Sequence, residues 1–247
     1  MAMDQAMLEY AAATQQVLLR IYQWSKPTIS LGYFQAYEEI AKYPELQSLD
    51  CVRRVTGGGA ILHDREITYS LAVPGDLQHK GHNEQLYRTV HRAVAGWLQS
   101  LHFDVRHWED ANQAPTIAYT GIDSFWCFER RSDVDLVVDN RKVLGSAQRR
   151  STLGLLQHGS LLVEASVWKP ELQGLVLQAP DGMDEDSKRY LTPTNLSDII
   201  GCALGCALGC DWTRRHADEV VCNRAIAIDT ERFSTPGWTQ SKNRRTY

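Results

Sequence analysis

Three strand-like runs follow one another between residues 134 and 164, and they limit the folds open to this chain. β-Branched and other apolar residues recur through VDLVVDNRKVLGSAQRR (residues 134–150) and LLQHGSLLVE (residues 155–164). Asp139-Asn140 interrupts the first stretch, and these residue types tolerate the left-handed backbone of a two-residue hairpin turn. We therefore predict consecutive strands, the first pair turning at Asp139-Asn140, and an antiparallel sheet.

The rest of the chain alternates between helical and strand-like patterns. Apolar residues at helical spacing predict helices over residues 4–19 and 83–102, with Asn83 as the N-cap of the second. The other predicted elements are strands at residues 19–24, 28–34 and 117–121, a short helix at 38–46, and a mainly helical region from Trp168 to a polar tail at 241–247. No linker divides them, so we predict one α+β domain over residues 1–247, with mixed or antiparallel sheets packed against helices.

A run of three glycines lies inside RRVTGGGAILHD, residues 53–64. The surrounding residues 51–74 predict two strands joined through the glycines, as a hairpin with a special bend. The run matches neither the dinucleotide fingerprint nor the P-loop. Glycine inside a strand often marks a place where a ligand approaches the backbone closely, and the alternative is a plain bulge or tight turn.

Charge and hydropathy exclude two classes of partner. The formal net charge of -4 provides no general basic field for a nucleic acid backbone. No run of 18 or more apolar residues predicts a membrane span, and the acidic residues near the N-terminus are unlike those of a signal peptide. We predict a cytoplasmic protein that binds neither nucleic acid nor membrane.

Six cysteines are too few for a disulfide scaffold in 247 residues. Three of them lie in the tetrapeptide repeat GCALGCALGC, residues 201–210. A zinc site is one reading, but zinc sites favour two cysteine pairs joined by a loop. Cysteines four residues apart, with Ala and Leu between them, instead predict the small-residue packing face of a helix. No metal and no cofactor are expected.

Three ordered motifs, RRVTGGGAILHD, DLVVDNRKVLGSAQRR and LLQHGSLLVE, resemble the superfamily of lipoate-protein ligases and octanoyltransferases, whose catalytic domain is related to biotin ligase. MAMDQAML and IYQWSKPTISLGYFQ resemble its opening segments. The resemblance covers residues 1 to 165. The family's usual first strand, which precedes MAMDQAML, has no counterpart; a late start codon and a lost edge strand are both open.

The resemblance implies that an acyl pocket is lined by Arg54, Gly57, Gly58, Gly59 and His63, with Gln148, His158 and Gly159 at matching positions. It also implies that the glycines let a fatty chain lie against the main chain.

Two reactions occur within this superfamily, and single residues separate them. Ligases activate lipoate with ATP, whereas some transferases move an octanoyl group through a cysteine thioester. Cys127 precedes Lys142 by fifteen residues, which resembles the Cys-Lys pair of those transferases. Val134 stands where ligases carry an asparagine that helps to hold phosphate and metal.

Each of these residues also has a structural alternative. Cys127 could be a small buried hydrophobe, Lys142 an exposed strand-edge lysine, and His158 a hydrogen-bonded core histidine. The two rival functions are an ATP-dependent lipoate-protein ligase and a non-catalytic acyl-binding scaffold.

The predicted function is therefore an octanoyltransferase, with Cys127 and Lys142 as its catalytic residues. The resemblance implies that octanoyl acyl carrier protein donates the acyl group to Cys127, which Lys142 activates as an ammonium. The acceptor is then a lysine of a lipoyl domain, in the glycine-cleavage H protein or a dehydrogenase E2 subunit. Neutral Lys142 is the candidate base for this second step. The preferred acyl chain, the preferred acceptor and the oligomeric state stay open.

Overall fold

The computed structural model describes residues 1–75, 82–111, 124–176 and 189–241. Its strands are β1 (Leu18–Tyr22), β2 (Thr28–Leu31), β3 (Asp50–Arg53), β4 (Ile61–His63), β5 (Glu66–Pro74), β6 (Arg106–His107), β7 (Leu136–Val138), β8 (Arg141–Ser151) and β9 (Gly154–Leu162). Its α-helices are α1 (Ala2–Thr14), α2 (His82–Ser100), α3 (Trp108–Ala111), α4 (Pro193–Leu208), α5 (Glu219–Ile228) and α6 (Pro236–Ser241). Short 3-10 helices cover Tyr37–Lys42, Pro44–Leu46 and Cys127–Glu129, and a π-helix covers Asp229–Phe233.

Two sheets form the framework, and the predicted α+β class is confirmed. The larger sheet has the order β1-β5-β9-β8-β7-β6, and every neighbouring pair is antiparallel. The smaller sheet has the order β3-β2-β4, in which β2 pairs parallel with β3 and antiparallel with β4.

Strand β5 lies inside the large sheet and is buried on both faces. Alternate residues such as Ile67 and Leu71 pack with apolar side chains of α2 and α4, whereas Ala72 packs with α1 and α5. The small sheet has its own apolar cluster, in which Ile29 and Leu62 pack with Phe125 and Trp126. This last contact brings the segment around residue 127 against the small sheet.

Several predicted elements are confirmed. The turn between β7 and β8 falls at Asp139 and Asn140, whose φ angles of 48° and 61° are the left-handed values that the turn needs. Strand β9 and helix α2 occupy the predicted segments, although the side chain of Asn83 lies outside the described residues. The strand predicted at residues 117–121 and the polar tail at 242–247 also lie outside them.

The predicted hairpin over residues 51–74 is wrong. Strands β3 and β4 do not pair with each other, because β2 lies between them, and β5 joins the other sheet. The glycine run crosses the end of β2, where a side chain at Gly32 would overlap the carbonyl of Gly58. Local alternation of residues predicted the strands but not their partners.

Three of the predicted helical segments also differ from the structure. Helix α1 ends at Thr14, because Gln15 adopts a left-handed C-cap and Leu18 and Leu19 pair with β5. The segment at 38–46 forms two 3-10 helices, divided at Tyr43 before Pro44, since a residue before proline disfavours the helical conformation. Trp168 lies in a turn.

The tetrapeptide repeat forms the second half of helix α4 and the turn after it. A glycine and a leucine of the repeat face inward: Gly201 and Leu204 are buried, and a side chain on Gly201 would come within 2.6 Å of Trp212 Nε1. The repeat's three cysteines, Cys202, Cys206 and Cys210, are exposed. The predicted packing face is therefore made of glycine and leucine rather than of cysteine. Within the described ranges, no three His, Cys, Asp or Glu side chains are placed to share a metal ion.

None of the helices in the described part of the chain is long and apolar enough to cross a membrane.

Candidate active site

A cavity lies between the two sheets. Its wall combines residues of β2 and β4 from the small sheet with residues of β8 and β9 from the large one. Five of the residues predicted for the site line it: Arg54, His63, Cys127, His158 and Gly159.

The position of Cys127 is set by backbone contacts with the end of the glycine run. The Ala60 N–H donates to the Phe125 carbonyl at 2.7 Å, and the Cys127 N–H donates to the Ala60 carbonyl at 2.8 Å. Cys127 then begins a 3-10 helix and remains half-buried, with its side chain at the cavity wall. A thiol held in this way faces the cavity rather than filling the core.

Lys142 reaches the same place from β8. Its side chain is buried, with Nζ 3.8 Å from the Cys127 Sγ and 3.4 Å from the Cys127 carbonyl oxygen. The predicted pair is therefore adjacent in space, and the alternative of an exposed strand-edge lysine is wrong.

Asp135 completes this arrangement, and the sequence analysis did not assign it a role. Its Oδ2 lies 2.7 Å from Lys142 Nζ and also accepts the Ser132 N–H at 2.8 Å. Both charged side chains are buried. The only signal in the sequence was the place of Asp135 in the motif before Lys142.

Gly145 leaves the space that the Lys142 amine occupies. A Cβ at this position would lie 2.6 Å from Lys142 Nζ and 3.6 Å from Asp135 Oδ1. The glycine of the motif therefore sets where the ammonium group sits.

Gln35 is a second residue that the sequence analysis missed. Its buried amide accepts the Gly32 N–H at 2.9 Å and donates to the Phe125 carbonyl at 2.9 Å. It thus ties the loop after β2 to the segment that carries Cys127.

The three glycines have distinct surroundings, and none of them is among the described residues that line the cavity. A Cβ on Gly59 would lie 2.7 Å from the Cys127 nitrogen and 2.9 Å from the Phe125 oxygen. Gly58 has a φ of 93°, which a side chain rarely tolerates. A Cβ on Gly57 would meet only Phe34, at 3.8 Å. The close approach at Gly59 is made by the protein's own backbone, and direct contact of the run with an acyl chain stays a prediction.

Arg54 is buried, and its guanidinium group is hydrogen-bonded to the surrounding main chain. It donates to the carbonyls of Ser30, Gly57 and Gly59 at 2.6–2.9 Å and to the Ser30 hydroxyl at 3.1 Å. Burial lowers the pKa of this group to about 10. Arg54 therefore organises the glycine run from its place in the cavity wall.

The two predicted histidines are buried and hydrogen-bonded. His63 contacts Glu66 through Nδ1 and the Ser30 hydroxyl through Nε2, at 2.7 Å for the latter. His158 contacts the Thr56 hydroxyl. Gln148 lies outside the described cavity lining and donates to Gln157 Oε1 at 2.6 Å.

Comparison with known proteins places the chain. A family profile described as the lipoyl protein ligase A/B catalytic domain matches residues 1–200. This chain belongs to that family. The resemblance found in the sequence is thereby confirmed.

Several octanoyltransferases are similar in sequence to this chain. The chain is 35% identical to octanoyltransferase LipM of Kyrpidia tusciae over 193 residues, which cover 76% of this chain and 69% of the relative. It is 38% identical to octanoyltransferase LipM of Carboxydothermus hydrogenoformans over 172 residues, which cover 68% of this chain and 62% of the relative. These relatives support the prediction of an acyltransferase, although the second match spans less than two thirds of the relative's length.

Solved structures of the family have the same fold. A lipoate-protein ligase A bound with ATP superposes with a TM-score of 0.67 at 20% identity, covering 97% of this chain and 92% of the other. A bi-partite lipoate protein ligase of Thermoplasma acidophilum, described with its E2 lipoyl domain, gives 0.65 at 18% identity, covering 99% and 93%. At these identities the likeness concerns the fold alone.

We expect Gly59→Ala to reduce acyl transfer severely and to lower stability by about 1–3 kcal/mol, the usual cost of overpacking. The added methyl would displace the backbone at Cys127. Gly57→Ala is the matched control, because its methyl would meet only ordinary contacts. Thermal unfolding and the rate of acyl transfer check both variants. Equal loss of activity in the two would instead favour an acyl chain lying along the whole run.

We expect stability to fall as the pH falls below about 6.5. Burial lowers the pKa of His91 and of His158 to about 3, in each case from 6.5. Between pH 3 and pH 6.5 the unfolded state therefore binds more protons than the folded state. The contribution of the two neutral histidines to stability is fully present above pH 6.5 and is lost on acidification. Each histidine contributes a slope of up to about 1.4 kcal/mol per pH unit in this window. Urea unfolding at pH 7, 6 and 5 measures this slope, and His158→Gln should reduce it. An unfolding free energy that does not change with pH would contradict the lowered pKa values of both histidines.

Proposed function

We propose that this chain is an octanoyltransferase that moves an octanoyl group from acyl carrier protein to a lysine of a lipoyl domain, by way of a thioester on Cys127. The observation that carries the proposal is the thiol of Cys127 at the cavity wall, 3.8 Å from the Lys142 amine. The octanoyltransferase relatives support the acyl group and the reaction class. We place the reaction in the cytoplasm.

In the first step the Cys127 thiolate attacks the carbonyl carbon of the donor thioester. The bond from Cys127 Sγ to the acyl carbon forms, the bond to the donor sulfur breaks, and the departing thiolate takes a proton. The Lys142 ammonium faces the attacking sulfur and stabilises its negative charge, since the thiolate is the reactive form.

In the second step the neutral amine of an acceptor lysine attacks the acyl-cysteine. The amide bond forms, the Cys127 thiolate leaves, and the amine loses one proton, which balances the proton taken by the donor thiol. The Asp135 carboxylate, with Oδ2 2.7 Å from Lys142 Nζ, holds this amine in place beside the sulfur. We propose that Lys142 supplies a positive charge beside the sulfur in the first step; its role as the neutral base of the second step, predicted from the sequence, stays a prediction.

The cavity suits a thioester donor better than it suits free acid with ATP. Arg54 is the only lysine or arginine among the described residues that line it, and both of its terminal nitrogens, Nη1 and Nη2, already donate to main-chain carbonyls. At position 134, where ligases carry an asparagine, the side chain is aliphatic.

A transfer assay distinguishes this proposal from the ligase alternative. Purified lipoyl domain is given octanoyl acyl carrier protein without ATP, or free octanoate with ATP and magnesium. We expect modified lipoyl domain only with the thioester donor. Modification that occurs only with octanoate and ATP would support a ligase, and no modification under either condition would support the non-catalytic scaffold.

A further inference from the structure

Helix α2 contacts β8, the strand that carries Lys142, at a position beyond its pairing with β7 in the described part of the chain. The β7–β8 pairing runs from Val138 with Arg141 to Leu136 with Leu144. Ser146, two residues further along β8, therefore lies beyond the end of β7. Tyr87 of α2 contacts it there: its hydroxyl accepts the Ser146 N–H at 3.1 Å and donates to the Ser146 carbonyl at 2.5 Å. One phenol thus bonds both main-chain groups of Ser146.

His91 follows one helical turn later, with its ring centroid 4.5 Å from that of Tyr87. It is fully buried, with Nδ1 2.5 Å from the Val134 carbonyl oxygen and Nε2 2.7 Å from the Ser146 hydroxyl. A carbonyl oxygen can only accept, so Nδ1 carries the hydrogen. The ring is neutral, because burial lowers its pKa to about 3, and Nε2 therefore accepts from Ser146.

The remaining hydrogen bonds continue in one direction. Tyr69 donates to the Ser146 hydroxyl at 2.5 Å, because the Ser146 hydrogen is already given to His91. Gln157 donates to the Tyr69 hydroxyl at 2.7 Å, and Gln148 donates to Gln157 at 2.6 Å. This chain of donors runs from β8 and β9 through His91 to the Val134 carbonyl.

This series of hydrogen bonds ends next to the ion pair of Asp135 and Lys142. The Val134 carbonyl belongs to the peptide that joins it to Asp135, and the Asp135 carboxylate holds Lys142. His107 also approaches the Val134 oxygen, but at 3.4 Å. His91 therefore makes the shorter contact to the peptide that orients Asp135.

We propose that His91 is a positioning residue: it holds the Val134–Asp135 peptide so that Asp135 keeps the Lys142 ammonium beside the Cys127 sulfur. This inference rests on the proposed thioester mechanism. His91 does not touch the cavity or the sulfur; it acts through the peptide and the ion pair. The titratable groups around this arrangement are Lys142, Asp135 and His107.

Two substitutions separate positioning from simple packing. His91→Asn keeps an N–H donor near the place of Nδ1 but leaves a void, whereas His91→Phe fills the space and removes the donor. A packing role predicts that Phe is tolerated better than Asn. The positioning role predicts the reverse order in activity, because an error of about 1 Å in a catalytic group can cost about 10²-fold in rate. His102→Asn, on the exposed turn after α2, is the matched control; His102 has a φ of 67°, which asparagine tolerates.

Three quantities are measured on the full chain: the thermal midpoint, kcat and KM for octanoyl transfer from acyl carrier protein, and the pH profile of Cys127 alkylation by iodoacetamide. We expect His91→Phe to lose about 10²-fold in kcat at unchanged KM. Its alkylation profile should move to higher pH, because the ammonium is no longer held beside the sulfur. His91→Asn should stay near wild type in kcat and in profile, even with a lower thermal midpoint.

A wild-type kcat and alkylation profile in His91→Phe would overturn the inference, and so would equal loss in both variants. If His91→Phe does not fold, His91→Asn decides alone: activity near wild type despite lower stability supports positioning, and activity that falls in step with stability overturns it. Alkylation needs no acyl donor, so it reports on His91 even if wild type forms no acyl-enzyme, which would instead reject the proposed function.

Discussion

Cys127→Ser is expected to lose octanoyl transfer by about 10³-fold or more, the scale seen when a covalent nucleophile is removed from an enzyme. A serine hydroxyl has a far higher pKa than a thiol, and a single ammonium group at the distance of Lys142 does not activate it comparably. The substitution is nearly isosteric at a half-buried position, so the thermal midpoint should change little. The rate of lipoyl-domain modification with octanoyl acyl carrier protein measures the effect.

The other cysteines provide the controls for this variant. Cys206→Ser changes an exposed thiol of the tetrapeptide repeat and should leave transfer unchanged. Cys51 is a different kind of control, because burial raises the pKa of its thiol to about 12 and makes it a poor nucleophile near neutral pH. If Cys127→Ser retained the wild-type rate, the acyl group would have to pass through another residue or directly to the acceptor.

Gly145→Ala is expected to reduce the rate of Cys127 acylation by about 10²-fold, because it displaces a catalytic group by about 1 Å or more. The new methyl would occupy the space of the Lys142 amine, whose flexible end must move away. Both members of the ion pair remain, so the loss of stability should be small compared with the loss of rate. Rapid-quench measurement of the acyl-enzyme, together with thermal unfolding, separates the two effects.

Lys142→Met tests the same charge more directly, but it leaves the buried Asp135 carboxylate without its partner. Breaking such a pair costs about 3–5 kcal/mol. The double variant Asp135→Asn/Lys142→Met removes both charges and should recover stability while acylation stays low. Recovery of acylation in the double variant would show that the ammonium is dispensable.

Local sequence patterns predicted those parts of the molecule that depend on neighbours along the chain. The turn at Asp139-Asn140 follows from two residues that tolerate positive φ, and helix α2 follows from its periodic apolar face. The proximity of Cys127 and Lys142 was predicted from family resemblance, and the geometry brings them within 3.8 Å. Their catalytic roles remain proposals.

The missed features depend on contacts between distant parts of the chain. Gln35 binds a carbonyl 90 residues away, and His91 binds a hydroxyl 55 residues away. Each is a single polar residue without a local pattern, so nothing near it in the sequence indicates a partner. The same limit explains the wrong hairpin at residues 51–74, because alternation defines a strand but does not determine which strand pairs with it.

The glycine run has a structural role that the sequence did not indicate, beside the contact with an acyl chain, which stays a prediction. The sequence suggested that the glycines make room for a bound acyl chain. In the structure, Gly59 makes room for the backbone that carries Cys127, and Arg54 ties the carbonyls of Gly57 and Gly59 together. The run therefore fixes the position of the nucleophile from one side, as Gly145 fixes the position of the ammonium from the other.

Intact-mass spectrometry of the wild-type protein tests the central claim most directly. The protein is incubated with octanoyl acyl carrier protein in the absence of ATP and of any acceptor, and the product is digested for peptide mapping. The thioester mechanism predicts a gain of one octanoyl group, carried by the peptide that contains Cys127 and released by hydroxylamine. The mechanism is contradicted if no adduct forms under these conditions while the same protein converts free octanoate and ATP to octanoyl adenylate.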